Sequence, residues 1–184
     1  MVGTRSRIVG RFALIVGPLA TIGCDRVTKH VATTMLAGMP SQSYLADTVR
    51  VVYSENTGGF LSLGASLPPA ARTALFSVAT GIALLTLVII AVRRRTNGPA
   101  RLGVTLFLAG GASNWIDRIV RGSVVDFLNI GIGPVRTGVF NVADVAIMLG
   151  VGIFVLAEFQ KEQELTDYRW NGLTAAGPVG SHVT

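Results

Sequence analysis

Cysteine, histidine and charge are all scarce in this chain, and each shortage excludes something. The single cysteine, Cys24, rules out an internal disulfide, and the two histidines, His30 and His182, are too few and too far apart to suggest a zinc site. Charged residues make up only 14% of the 184, against 50% apolar, a balance that suits an integral membrane protein better than a soluble domain. Acidic residues are scarcer still, 10 against 16 basic, which leaves a net charge of +6. In a soluble chain that excess would suggest nucleic acid. Here it reads as the Lys/Arg asymmetry that orients membrane helices. The sequence shows no internal repeat.

Against these absences stand four long apolar runs, at 8–32, 70–92, 102–120 and 139–159. Each is close to the roughly 20 residues a helix needs to cross a ~30 Å hydrocarbon layer. The expected fold class is therefore an all-α membrane protein with four transmembrane helices. Alternation at Val49, Val51 and Tyr53, followed by Gly58 and Gly59, adds a small extracytoplasmic β-sheet element. Residues 1–160 form the expected transmembrane domain, and 161–184 a polar, weakly ordered cytoplasmic tail. Arg5 and Arg7 precede the first run and Arg11 lies in its first turn, and Arg93, Arg94, Arg95 and Arg101 lie between the second and third. These short basic flanks place both termini in the cytoplasm and turn the 37–69 and 121–138 loops outward. Arg50, Arg72, Arg118, Arg121 and Arg136 on the outer side weaken that bias without reversing it. The basic start and apolar stretch before Cys24 also fit a signal peptide with a lipoprotein-type box. Thr21 stands where such boxes usually carry Leu, however, and three more runs follow, so Cys24 reads more simply as a packing residue.

Three of the runs carry a polar stripe near the outward end. Asp25, Thr28 and Lys29 lie at i, i+3 and i+4, as do Asn114, Asp117 and Arg118; Asn141 and Asp144 lie at i and i+3. Residues so spaced share a helix face. Lipid offers such groups no partner, so the stripes should meet in one buried cluster near the outer surface. Gly110, Gly111 and Ala112 allow the third helix a close approach to a neighbour. Asp126, in the loop "RGSVVDFLNIGIGPVRTG", folds back toward the same cluster. Plainer readings exist. Asp25 with Lys29, or Asp117 with Arg118, make structural ion pairs, Asn141 serves as interhelical glue, and Trp115 anchors the interface.

An acidic residue at the centre of a span costs about 2.5–3.5 kcal/mol to insert, so Asp144 calls for a reason. Two adjacent carboxylates cannot both ionise easily. A pair that shares a proton can activate a water and polarise an amide carbonyl, with no cofactor and no metal.

Five segments carry a family resemblance: "DRVTK" at 25–29, "ENTGGF" at 55–60, "GGASNWIDR" at 110–118, "GSVVDF" at 122–127 and "FNVADVAI" at 140–147. In order and spacing they resemble the motif regions of the lipoprotein signal peptidase family, also called signal peptidase II. The resemblance implies a bacterial inner-membrane aspartyl endopeptidase that cuts prolipoproteins before a diacylglyceryl-modified cysteine, without a cofactor. It implies catalytic aspartates at Asp126 and Asp144, with Asp25, Lys29, Asn56, Asn114, Arg118 and Asn141 binding substrate or supporting the dyad. The expected partners are the lipidated precursor and membrane lipid, with no nucleic acid. The chain is expected to act as a monomer, its site toward the periplasmic face. The second and third motifs depart from the family pattern. Gly59 is followed directly by Phe60, and Ser113 precedes Asn114 in a stretch one residue short, which suggests a diverged paralogue. The other classes open at this point are a small proton-coupled transporter, which also keeps buried charges, and a non-catalytic lipoprotein-binding relative.

Overall fold

Apolar residues face outward in this protein and polar ones face inward. The computed structural model describes residues 2–59, 63–93 and 98–175. Phe60, the Arg94–Arg95 pair and His182 lie outside the described residues. Among those described, the buried polar set includes Asp25, Lys29, Asn114, Asp117, Asp126 and Asn141, while Leu19, Val27, Val31, Ile82, Leu85 and Leu156 are exposed. That is the reverse of a soluble core. It is the arrangement expected where lipid is the solvent.

The chain folds as helix α1 (Val2–Leu36), strands β1 (Gln42–Tyr44) and β2 (Val49–Asn56), and helix α2 (Pro69–Arg93). Helix α3 (Gly98–Arg121), strands β3 (Val124–Ile132) and β4 (Val135–Arg136) and helix α4 (Val142–Ala175) complete it. Among the described residues two helices, Pro69–Arg93 and Val142–Tyr168 within α4, are long and apolar enough to cross a membrane by length and composition. The polar stripes of α1 and α3 lower their mean hydropathy, although both exceed the length a span requires. Helix α2 contains a π-helical stretch, Thr73–Ala79. In that stretch the Ser77 carbonyl accepts a bond from Trp115 Nε1 at 2.7 Å. Trp115 thus locks α3 to α2, a role beyond the interface anchor expected of it.

Two expectations need correction. The segment around Asp126 is a strand, not a loop. β3 pairs antiparallel with β2, in a sheet of order β1-β2-β3-β4, and Asp126 stands opposite Ser54. Residues Val124 to Leu128 are rich in β-branched and aromatic side chains, which favour that conformation. The polar tail is also not weakly ordered through its length, because α4 runs unbroken to Ala175. Glu162, Gln163, Glu164 and Leu165 are good helix formers that extend a rod already nucleated by its apolar first half.

A small apolar core of Ala32, Val125 and Phe127, with Leu36, Tyr53 and Val142 against it, seats the sheet on α1 and α4. At the far end of the sheet, Leu45, Ala46 and Asp47 all have positive φ. Asp47 holds this turn by accepting bonds from Ser43 and Arg50 and, through its carbonyl, from Arg136. The hydrogen bond from Arg50, then that from Ser43, keep its carboxyl well below the usual range.

Helices α3 and α4 pack backbone to backbone. A Cβ at Gly103 would lie 2.7 Å from the Gly150 carbonyl oxygen and from the Phe154 nitrogen, and one at Gly150 would lie 2.6 Å from the Gly103 oxygen. Gly110 meets the Ala143 carbonyl in the same way. Only hydrogen fits at these positions, and the contact is van der Waals packing of the kind that joins helices in lipid. Gly103→Val should therefore separate the helices and cost about 1–3 kcal/mol or more. Gly152→Ala, where α4 faces open space, should be neutral or stabilise by up to ~1 kcal/mol. Thermal denaturation of the detergent-solubilised protein compares the two.

Candidate active site

The first turn of α4 explains why an aspartate lies in an apolar run. Asn141 immediately precedes the helix and is its N-cap; Asp144 is the third helical residue. The Asn141 side-chain oxygen accepts the Asp144 backbone N–H at 3.0 Å, and Asp144 Oδ2 accepts the Asn141 backbone N–H at 3.0 Å. This reciprocal pair is a capping box built from Asn and Asp. Asp144 therefore sits at the end of the rod, on the open N–H groups and the positive end of the helix dipole. The expected span of 139–159 began three residues too early, which placed the carboxylate deeper than it is.

Asp126 reaches the same point from the sheet. Its strand turns it inward, and it is fully buried. Asn141 Nδ2 donates to Asp126 Oδ1 at 2.6 Å, and Asn56 Nδ2 donates to Oδ2 at 2.9 Å. Asn141 is thus shared, donating from its side chain to Asp126 and from its backbone to Asp144. Asn114 joins them on the other side. Its Nδ2 donates to Asp144 Oδ1 at 2.9 Å, and its oxygen accepts Asn141 Nδ2 at 3.2 Å. Burial pushes the Asp126 carboxyl up to about 6, and the nearby Asp144 charge pushes the same way; the bonds from Asn56 and Asn141 oppose it.

A second layer of charge lies directly behind Asn114. Lys29 Nζ donates to Asn114 Oδ1 at 2.7 Å and to Asp117 Oδ2 at 2.8 Å, and pairs with Asp25 Oδ2 at 2.7 Å. An ammonium has three N–H donors, and all three are used. Asp25 Oδ1 accepts the Ala143 backbone N–H at 2.9 Å, which caps α4 from outside, and its Oδ2 accepts Ser113 Oγ at 2.7 Å. Arg26 supplies the second cation, with Nη1 on Asp117 Oδ1 at 2.5 Å and Nη2 on the Ser113 carbonyl at 2.9 Å. Two buried carboxylates are thereby matched by two cations, which buried charges require.

The expected Asp117–Arg118 pair does not form. Neighbours on a helix point about 100° apart, so Asp117 turns to Lys29 and Arg26. Arg118 turns to the loop after β2, with Nη2 on the Gly58 carbonyl at 2.6 Å and Nε on the same oxygen at 3.2 Å. Asn56 Oδ1 accepts the Gly58 N–H at 2.9 Å, so Gly58 is held from both sides. All eight predicted site residues are brought together. Three participants, Arg26, Ser113 and Asp117, were not among them. Ser113 is one of the departures from the family pattern, and its hydroxyl is spent on Asp25. Its position four residues before Asp117 was the available signal. Among the described residues no cluster of His, Cys, Asp and Glu is arranged to hold a metal.

Residues 18–160 match the family described as signal peptidase (SPase) II. The chain is 30% identical over 169 residues to a lipoprotein signal peptidase of Borrelia hermsii, covering 89% of this chain and 97% of the relative. It is 35% identical over 147 residues to one of Sphingopyxis alaskensis, covering 79% and 83%. The fold is similar to a bacterial membrane enzyme solved by the in meso method at 2.3 Å, with a TM-score of 0.71, 25% identity and coverage of 83% of this chain and 90% of that one. A second such enzyme, at 1.9 Å, gives a TM-score of 0.66 at 26% identity.

The charge layer yields a prediction. Lys29→Met leaves Asp25 and Asp117 with one cation between them, and should cost about 3–5 kcal/mol. Asp25→Asn together with Lys29→Met should cost less than the sum of the two single changes. A double-mutant cycle on thermal midpoints in detergent reads the coupling.

Proposed function

We propose, from the premise that this chain belongs to the signal peptidase II family, that it is an aspartic endopeptidase whose dyad is Asp126 and Asp144. The observation that carries the reading is Asn141, which donates to both carboxylates and so fixes them side by side. Its substrate is a prolipoprotein, cut before a cysteine that carries a diacylglyceryl group. Four helices span the cytoplasmic membrane of a bacterium, both termini face the cytoplasm, and the site opens toward the periplasmic side. The outward apolar faces and the basic flanks support this orientation. One chain supplies the whole site, which supports a monomer. The polar cluster sits at one end of the bundle and α2 stays apolar, which supports a surface reaction over a conducting path.

The chemistry follows from two carboxylates that share one proton. We assign the proton to Asp126 and the charge to Asp144, because Asp144 Oδ2 accepts a backbone N–H at the start of the helix, an environment that favours a carboxylate. Asp144 takes a proton from a water as its oxygen attacks the scissile carbonyl carbon, and Asp126 gives its proton to the carbonyl oxygen. In the second step the C–N bond breaks, the leaving nitrogen takes the proton from Asp144, and a hydroxyl of the intermediate returns one to Asp126. Asn114 and Asn141 hold the Asp144 oxygens in place throughout. Arg118, by fixing the Gly58 carbonyl, sets the backbone beside the dyad against which an extended substrate lies.

Purified protein incubated with a diacylglyceryl-modified precursor should produce a gel shift that the unmodified precursor does not. Asp126→Asn and Asp144→Asn should each lower turnover by about 10²–10⁴-fold or more while the protein still folds. Ordinary turnover in either variant overturns the dyad. Above about 6 the free enzyme loses the Asp126 proton, both carboxylates are charged and no acid faces the carbonyl. The pH profile of kcat/KM should therefore fall on its alkaline side from that region.

A further inference from the structure

We propose that the cavity between the outer ends of α2 and α3 holds the phosphate of a membrane phospholipid, a second lipid distinct from the substrate. The cavity is about 410 Å³ and is lined by Thr57, Arg72, Thr73, Phe76, Ser77 and Arg118, among others. Two guanidiniums face it, and none of its lining residues is acidic. Among the described residues neither arginine forms an ion pair with a carboxylate. Arg118 spends its nitrogens on the Gly58 and Asn114 carbonyls and lies over the Phe76 ring at 5.9 Å, so it contributes charge. Toward the described residues Arg72 donates from Nη1, to Thr57 Oγ1 at 2.7 Å and to the Ala65 carbonyl at 3.5 Å. Among the described residues its Nε and Nη2 have no partner, and together they form a fork whose geometry suits two phosphate oxygens.

The surroundings select a lipid as the source of that phosphate. The flanking residues Leu75 and Val78 on α2, and Ile119 and Val120 on α3, are exposed apolar side chains that face hydrocarbon in a membrane. Arg72 stands at the outer end of an apolar rod, the level at which lipid headgroups lie. A diacylglyceryl group carries no phosphate, so the proposed substrate's own lipid has nothing to offer Arg72. Because Arg72 also holds Thr57, which adjoins Asn56 and Gly58, an occupant bears directly on the loop beside the dyad.

The test is binding, which needs no turnover and so stands apart from the proteolytic reading. The full-length protein in a maltoside detergent is titrated with short-chain phosphatidylglycerol while its thermal midpoint is followed. Parallel titrations use diacylglycerol of the same chain length, inorganic phosphate, and a short peptide with a free C-terminal carboxylate. Phosphatidylglycerol should raise the midpoint saturably, and Arg72→Gln should weaken the apparent Kd about tenfold, the loss of one charge-assisted pair. Arg93→Gln, at the opposite end of the same helix, should leave the response unchanged. If Arg72→Gln does not fold, Arg72→Lys carries the same test with a smaller loss. Three results overturn the proposal. They are an equal response to diacylglycerol, a response independent of Arg72, and one that inorganic phosphate or the peptide reproduces.

Discussion

The ammonium of Lys29 is the constraint on which the outer half of the bundle depends. It satisfies Asp25 on its own helix and Asp117 and Asn114 on α3. Through Asp25 the same charge reaches the backbone of α4 at Ala143. Three helices are thus joined at one buried cation, in surroundings of low dielectric where an unmatched charge is costly. Arg26 completes the balance from the edge. The amides that grip the dyad stand one bond further out, so the orientation of Asn114 is inherited from Lys29. The charge layer and the layer of Asp126 and Asp144 share that single residue.

Much of this was legible in the sequence, because helical spacing decides which residues share a face. The stripes of Asp25 with Lys29, Asn114 with Arg118, and Asn141 with Asp144 pointed to one cluster, and the residues meet there. The apolar runs located all four helices but not their ends. Helix α4 begins at its cap and outlasts the hydrocarbon length by many residues. What spacing could not show was pairing between distant segments. Strand β3 depends on β2, which lies some seventy residues earlier at the Asn56–Asp126 contact, and the glycines and proline after Asp126 read as turns. Arg26 was hidden for the same reason, since its partner Asp117 lies 91 residues away. Adjacent residues of opposite charge, such as Asp117 and Arg118, look like a pair on paper and diverge on a helix.

The insertion cost of Asp144 is met locally. At the third position of a helix a carboxylate finds unpaired N–H groups that would otherwise be buried without partners. Asn141 and Asp144 satisfy one another's backbone, and what remains of each side chain is turned to Asp126 and Asn114. The groups that begin the helix are also those that hold the proposed dyad together. Asp126 has no helix end to rest on. It relies on two asparagine amides instead, and its burial keeps its proton in place at a pH where an exposed aspartate would have lost it.

That economy has a consequence for how the chain tolerates change in length. One residue inserted between Asn141 and Asp144 would rotate the aspartate by about 100° around the rod. It would break both halves of the capping box, carry the carboxylate away from Asn114, and shift Gly150 out of its notch on Gly103. The same insertion beyond Glu158, where α4 has left the bundle, would disturb none of these. The frame of α4 is therefore pinned at its outer end and at one glycine crossing, and is free to drift only below them.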